Sequence, residues 1–188
     1  LYNIATELGT TLDRSELLVR TLDLSAKALN VSRGTVLMLN RETRQLTCQA
    51  VLNDEIGLRS LDTPVAVGQE DTLAHWVLNN SEGVVISDVK DDERWVSLDQ
   101  SRSDQIRGLI AVPLFSSDQP QGVLMLYSSE PGYFSNDHLR FLSTISGEVS
   151  SALQNADLYN LVFESADRLS EAMWQQREDA SKTNAILQ

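Results

Sequence analysis

The stretch of sequence that decides the fold is LIAVPLFSSDQPQGVLMLYS, residues 109–128. Its two apolar runs, 109–115 and 122–128, have the length of strands, and the polar residues 117–120 between them are typical of a tight turn. The stretch therefore predicts an antiparallel hairpin buried in a core. Pro113 has no N–H to donate to a neighbouring strand, so we expect this position to lie at a sheet edge or beside a bulge.

Helical and strand periodicities alternate along the rest of the chain. Residues 46–52 alternate in polarity, which predicts a strand with one core face formed by Leu46, Cys48, Ala50 and Leu52. The patterns predict, in chain order, a helix over 14–30, strands over 35–39, 46–52 and 64–67, a helix over 73–80 and a strand over 84–86. The residues that follow, 87–107, are polar and irregular, and a connection of this length inside a compact domain is often functional.

The C-terminal part of the chain is predicted to be one long helix. Ser135 is a favourable cap, no Pro follows it, and residues 136–188 would form a rod of about 80 Å. Apolar side chains recur along it at the spacing that a two-stranded coiled coil needs. We expect a parallel homodimer with a seam formed by Leu142, Ile145, Val149, Ala152, Ala156, Tyr159, Phe163, Ala166 and Met173. The alternative is a helix that folds back onto its own domain or is frayed in solution.

These patterns divide the chain into three parts. Residues 1–12 carry apolar side chains at helical spacing and are expected to be the end of an incoming linker helix. Residues 13–158 are expected to form the globular domain, and residues 159–188 the coiled-coil helix. Because the sequence does not begin with Met, we expect the chain to be a piece of a longer protein.

Charge and composition restrict the classes of function. Lys and Arg total 15 against 27 Asp and Glu, so the net charge is −12, and we expect no nucleic-acid partner and no direct membrane contact. No apolar run approaches the ~20 residues of a membrane span, and the first residues lack the pattern of a signal peptide. The single cysteine, Cys48, excludes an internal disulfide and a cysteine-based zinc site, and it favours a cytoplasmic location.

The order of the elements resembles that of a GAF domain, a relative of PAS domains. Asp88, followed by Asp91 or Asp92 and then Arg94, is similar to the Asp…Asp-x-Arg run of that family. Segments 73–78, 84–89, 109–114, 122–126 and 134–137 resemble its central helix and strand, its two best-marked strands and the start of its last helix. The resemblance implies an α+β fold, in which helices flank a central antiparallel sheet of five or six strands, with long N- and C-terminal signalling helices.

The resemblance also implies a regulatory function. GAF domains bind small molecules or partners and pass a signal through their terminal helices to an output domain, here expected outside this chain and most simply a two-component histidine kinase. The chain itself is then not an enzyme. Two alternatives remain open, a ligand-free dimerisation or spacer module and a module that binds a protein through its acidic surface.

The sequence lacks the residues that cofactor binding and catalysis would need. Some GAF domains hold a bilin on a cysteine near the irregular segment, but 87–107 contains no cysteine, so we expect no bilin and no other cofactor. Some bind cyclic nucleotides with an Asn-Lys pair, which is absent here. GAF-like enzymes that reduce free methionine sulfoxide use a nucleophilic and a resolving cysteine. Cys48, on a core-facing strand position, cannot supply both.

The family places its ligand between the sheet and the irregular segment, which gives a set of candidate residues. The residues expected there are Trp76, Trp95, Leu109 and Ala111 for apolar contacts, and Asp88, Arg94 and Arg107 for polar contacts. Core packing of Trp76, and an Asp88–Arg94 ion pair or loop cap, are the alternatives. An open cavity beside Trp95 would favour a sensor, whereas a core filled by Leu109, Ala111 and their neighbours would favour a spacer.

Overall fold

A six-stranded antiparallel sheet organises the chain in the computed structural model, which describes residues 14–40, 43, 45–66, 72–95, 105–116, 119–156, 158, 162, 165 and 168. The strands are β1 (Arg33–Leu39), β2 (Leu46–Asn53), β3 (Gly57–Ala66), β4 (Val84–Ile86), β5 (Gly108–Ser116) and β6 (Gln119–Ser128), in the order β3-β2-β1-β6-β5-β4. The helices are α1 (Arg14–Ala28), α2 (Leu73–Asn80) and α3, described continuously over 136–156. The expected α+β fold is confirmed.

The predicted hairpin lies within the sheet as β5 and β6, which pair from one end to the other. Pro113 occupies the edge-like position that its missing N–H requires, because β4 pairs only with residues 109–111 of β5. The register between β5 and β6 also shifts between Leu114 and Phe115, next to the proline. The prediction of an edge or a bulge at Pro113 is therefore confirmed.

A bulge in β2 changes which side chains share a face. Cys48 pairs with Leu37 and Ala50 pairs with the adjacent Val36, so Gln49 is an extra residue in the ladder. As a result Leu46 and Cys48 lie in one apolar cluster, whereas Ala50 and Leu52 lie in the other. The prediction that these four residues form one face is wrong, because alternation along a strand fails across a bulge.

The sheet is buried on both of its faces. Helices α1 and α3 cover one face, which we call the α1/α3 face, with Leu17, Leu22, Val149 and the even-numbered β5 residue Ile110 in its core. Helix α2 covers the opposite α2 face, where Val77 and the β5 side chains Leu109 and Ala111 are buried. No helix among the described residues is long and apolar enough to cross a membrane.

The early positions of the predicted coiled-coil seam are buried inside the chain's own domain. Leu142, Ile145, Val149, Ala152 and Ala156 are 0%, 1%, 0%, 7% and 1% exposed, and the first four lie within the cluster of the α1/α3 face. These five positions therefore need correction, since a partner helix cannot reach them while the domain is folded. Over 142–156 the heptad spacing reflects packing of α3 on its own sheet.

Ala156 is the last buried residue among the described positions of the helix. Leu158 and Val162 are helical but 54% and 66% exposed. Residues 1–13 and the remaining seam positions lie outside the described residues; these positions are Tyr159, Phe163, Ala166 and Met173. The expected incoming helix over 1–12 and the coiled coil over 159–188 therefore stay predictions.

Replacing Leu142 tests this assignment of α3 to the core. We expect Leu142→Ala to lower the free energy of unfolding by about 2–5 kcal/mol, because it leaves a cavity among fully buried side chains. The matched change Leu158→Ala removes an exposed side chain and should change it by less than about 0.5 kcal/mol. Urea denaturation of both variants measures the difference, and equal effects would contradict the burial of Leu142.

Candidate functional site

Helix α2 forms one wall of the candidate site, and local capping sets its bounds. The Thr72 hydroxyl accepts from the backbone N–H of His75 and lies 2.9 Å from His75 Nδ1, which starts the helix at Leu73. Ser81 adopts the left-handed conformation, with φ 56°, and donates to the Leu78 carbonyl, which ends it. Trp76 is half-buried at the rim of the cluster on the α2 face.

The irregular segment is ordered by backbone contacts where it is described. A 3₁₀ turn, Val89–Asp91, follows β4, and the carboxylate of Asp88 caps it by accepting from Lys90 N at 3.1 Å. The N–H of Val89 donates to the Arg107 carbonyl at 2.7 Å. The Arg94 carbonyl accepts from the N–H of Leu73 at 2.8 Å, so this segment is held against the start of α2.

Two bidentate ion pairs order the acidic and basic side chains of the segment. Arg107 Nε lies 3.0 and 3.1 Å from the two oxygens of Asp88, and its Nη2 also bonds Asp88. Arg94 holds Asp92 through Nε at 2.9 Å and Nη2 at 2.6 Å. The expected alternative of an ion pair between Asp88 and Arg94 is wrong. Asp88 pairs with Arg107 instead, because the chain comes back beside Asp88 at the start of β5.

These contacts shift the proton affinities of the carboxylates. The hydrogen bonds from Arg107, and next that from the backbone of Lys90, lower the pKa of Asp88 to about 2. The hydrogen bonds from Arg94 likewise lower the pKa of Asp92. Both carboxylates are therefore ionised at neutral pH, and each neutralises one guanidinium.

Aromatic side chains line the same edge of the α2 face. The Arg94 guanidinium lies 4.5 Å from the centre of the Trp76 ring, within the range of a cation–π contact. Trp95 meets Tyr127 edge-on, with ring centroids 5.8 Å apart and an interplanar angle of 62°. Trp76 and Trp95 are both half-buried, so each residue keeps part of its surface accessible to solvent.

A polar pair under Trp95 was not predicted from the sequence. The hydroxyls of Thr35 and Tyr127 lie 2.7 Å apart and are buried, and burial raises the pKa of Tyr127. The nearby Cys48 thiol donates to the Ala50 carbonyl at 3.5 Å, and burial raises its pKa to about 11. The sequence held one signal of this pair, since Thr35 and Tyr127 each place a hydroxyl within an apolar run that was predicted to be a strand.

The sequence profile of the GAF domain family matches residues 11–154. The chain belongs to the GAF domain family. GAF domains are sensory and regulatory modules, and the six-stranded sheet with helices on both faces is their fold. A comparison with curated proteins finds no significant match.

Solved structures support the same fold. The GAF domain of an Acinetobacter phosphoenolpyruvate-protein phosphotransferase is 19% identical, with a TM-score of 0.70, and the match covers 84% of this chain and 92% of that one. Residues 122 to 287 of a methyl-accepting chemotaxis protein are 16% identical, with a TM-score of 0.67 and coverage of 84% and 97%. Free methionine-R-sulfoxide reductase from Neisseria meningitidis, in complex with its substrate, is 16% identical, with a TM-score of 0.66 and coverage of 85% and 88%. At these identities the likeness shows the fold alone.

Within the GAF domain, the seven candidate residues divide into four groups. Trp76 and Arg94 are in contact, Trp95 lies against Tyr127, and Asp88 is paired with Arg107. Leu109 and Ala111 are 0% exposed in the cluster beneath α2. Leu109 and Ala111 therefore form a packed floor for the candidate site rather than an open surface. Among the described residues no group of His, Cys, Asp or Glu could hold a metal ion.

The Asp88–Arg107 pair predicts a pH-dependent contribution to the stability of the GAF domain. Since folding lowers the pKa of Asp88 to about 2, its contribution is present above the unfolded pKa of about 4 and is lost as the pH falls through about 2. We expect wild type to be more stable than Asp88→Asn at pH 7, with a difference that shrinks between about pH 4 and pH 2. Urea denaturation across this range measures it. A constant difference would contradict the ionic role of Asp88.

Proposed function

We propose that this GAF domain senses a small molecule at the rim formed by Trp76, Arg94 and Trp95. The observation that carries the proposal is the partial exposure of two tryptophans that both pack on the core of the α2 face. A half-buried tryptophan presents part of a large apolar side chain at the surface, which suits recognition of a small molecule. The signal then passes through the terminal helices to an output domain, for which a two-component histidine kinase is our first candidate.

The electrostatics of the rim favour an uncharged, planar ligand. Arg94 and Arg107 are each held by a carboxylate in a bidentate geometry, so an anion would have to compete with Asp92 or Asp88. The tryptophan rings offer stacking surfaces that are not tied to a charge partner, apart from the face of Trp76 under Arg94. An aromatic ligand would stack there without disturbing either ion pair.

The chemistry of Cys48 supports a regulatory rather than a catalytic role. One related structure is an enzyme, a free methionine-R-sulfoxide reductase. In this chain the only thiol is buried, and its pKa of about 11 keeps it protonated near neutral pH. A protonated, buried thiol is a poor nucleophile. We therefore propose that the domain itself has no catalytic activity.

A ligand-free spacer is the second candidate function. The complete burial of Leu109 and Ala111 beneath α2 favours it, since the floor of the site is already filled. For a protein-binding module, the described exposed surface away from the C-terminal helix offers a single large apolar side chain, Ile56. One side chain gives little apolar area for docking a partner.

We also propose that the chain forms a parallel homodimer through the helix beyond the domain. Residues 158, 162, 165 and 168 are helical, and Leu158 and Val162 are exposed beyond Ala156, the last buried position that the structure describes in this helix. An isolated helix with exposed apolar side chains is marginal in water and is stabilised by pairing. The net charge of −12 argues against nucleic acid as the partner.

A ligand screen tests the sensor. The purified chain is analysed by native mass spectrometry for retained small molecules, and by thermal melting with uncharged aromatic compounds such as nucleobases, indoles and quinones. A ligand at a hundredfold excess over its Kd should stabilise the fold by about 2.7 kcal/mol. Trp95→Ala should abolish this gain, whereas Leu158→Ala should retain it. If the chain retains no small molecule and no compound shifts its melting temperature, the spacer is favoured.

Charge substitution tests the dimer. We expect Phe163→Asp and Met173→Asp to convert the dimer to a monomer, because each places a carboxylate at the predicted seam. Sedimentation velocity measures the mass, and circular dichroism checks that the domain remains folded. Gln175→Asp, at a sequence position off the predicted seam, is the control. A wild-type monomer at micromolar concentration would contradict the proposal.

A further inference from the structure

Strand β5 contributes to both faces of the sheet. Its odd-numbered residues Leu109 and Ala111 are buried on the α2 face, beneath the candidate site. Its even-numbered residues Ile110, Val112 and Leu114 are buried on the α1/α3 face, in the cluster that contains α3. A shift of this one strand would therefore be felt on both sides of the sheet.

Among the residues that the structure describes, the outer edge of β5 has a strand neighbour over only part of its length. Strand β4 pairs with residues 109–111 and ends there. Further along β5, serines of α3 bond the backbone in place of a strand. The Ser146 hydroxyl donates to the Pro113 carbonyl, and the N–H of Phe115 donates to the Ser150 hydroxyl at 2.8 Å.

The two serines also bond to one another through the helix backbone. Ser150 Oγ donates to the Ser146 carbonyl at 2.6 Å, while Ser146 is buried with 4% of its surface exposed. Their spacing fits the strand, because four helical residues rise about 6 Å and two strand residues about 6.7 Å. The pair therefore fixes the position of α3 along β5, which apolar contacts alone would not do.

We propose that Ser146 and Ser150 form a clamp that couples β5, beneath the candidate site, to α3, the helix that leads out of the domain. A displacement of β5 then moves α3 with it instead of sliding past its apolar side chains. The meaning of this coupling for signalling rests on the proposed function. The coupling itself is a mechanical property of the fold and requires no ligand.

Helix α1 provides an internal reference for such a displacement. It covers the same face of the sheet as α3, but it packs chiefly on β1, β2 and β3. A general loss of stability affects both helices, whereas a displacement carried by the clamp affects α3 more strongly. The difference between the two helices therefore separates coupling from destabilisation.

Hydrogen exchange of the whole chain, followed by mass spectrometry, tests the clamp. The probe is Leu109→Ala, which loosens β5 from the α2 face without adding a ligand. We expect this substitution to raise the rate of amide hydrogen exchange over 142–156 about tenfold relative to the rate in α1. A change of this size is the scale expected for loss of one or two buried hydrogen bonds. In the Ser146→Ala/Ser150→Ala background, the same probe should give equal changes in α3 and α1.

Two further variants make the result specific. Ser151→Ala removes a similar hydroxyl, which donates to the Gly147 carbonyl at 3.2 Å on the exposed side of α3, and should leave the coupling intact. Ser150→Thr keeps a hydroxyl and should preserve it. Should the double variant fail to fold, Ser150→Ala alone serves as the test background. Equal responses of α3 and α1 to Leu109→Ala in the wild-type background, or an undiminished α3 response without the serines, would overturn the clamp. Neither result depends on whether the domain binds a small molecule.

Discussion

Burial of the sheet on both faces is the constraint on which the rest of this structure depends. A sheet with one wet face needs apolar side chains at alternate positions only, whereas here α2 covers one face, and α1 with α3 the other. The central strands must therefore be apolar at nearly every position, as β5 and the second half of β6 are. The irregular segment contributes its site residues at the border of the α2 face, where burial is incomplete.

This constraint explains how much of the fold could be predicted from the sequence. Continuous apolar runs mark strands buried on both sides, so 109–115 and 122–128 identified β5 and β6 within a few residues. The bounds of α2 and β4 were predicted correctly for a similar reason, since each is short and flanked by polar residues. In β2 the sequence carried no sign of the extra residue at Gln49, and a single bulge was enough to reverse the faces beyond it.

The remaining errors arise because a sequence gives spacing along an element but not what lies opposite. Over the turns from Leu142 to Ala156, a repeat of 3.5 residues and a stripe of 3.6 predict almost the same positions, so helix–sheet packing resembled a coiled-coil seam. The partner of Asp88 was uncertain for a related reason. Arg94 is nearer in sequence, but the path of the segment brings Arg107 back to Asp88. The Thr35–Tyr127 pair needs the register of β1 and β6, which no local pattern supplies.

The candidate site and the end of the domain are joined by the same physical arrangement. Partly exposed ion pairs such as Asp92–Arg94 contribute less to stability than buried interactions because water screens them, and they also fix the shape of the rim around Trp76. Buried hydrogen bonds behave differently, since breaking one leaves a polar group without water. The Ser146 bond to Pro113 belongs to this second class, at a point of β5 where proline has already removed a donor and β4 has already ended. The backbone there forms its hydrogen bonds with α3 rather than with another strand. The proposed route from the site to the outgoing helix depends on these hydrogen bonds.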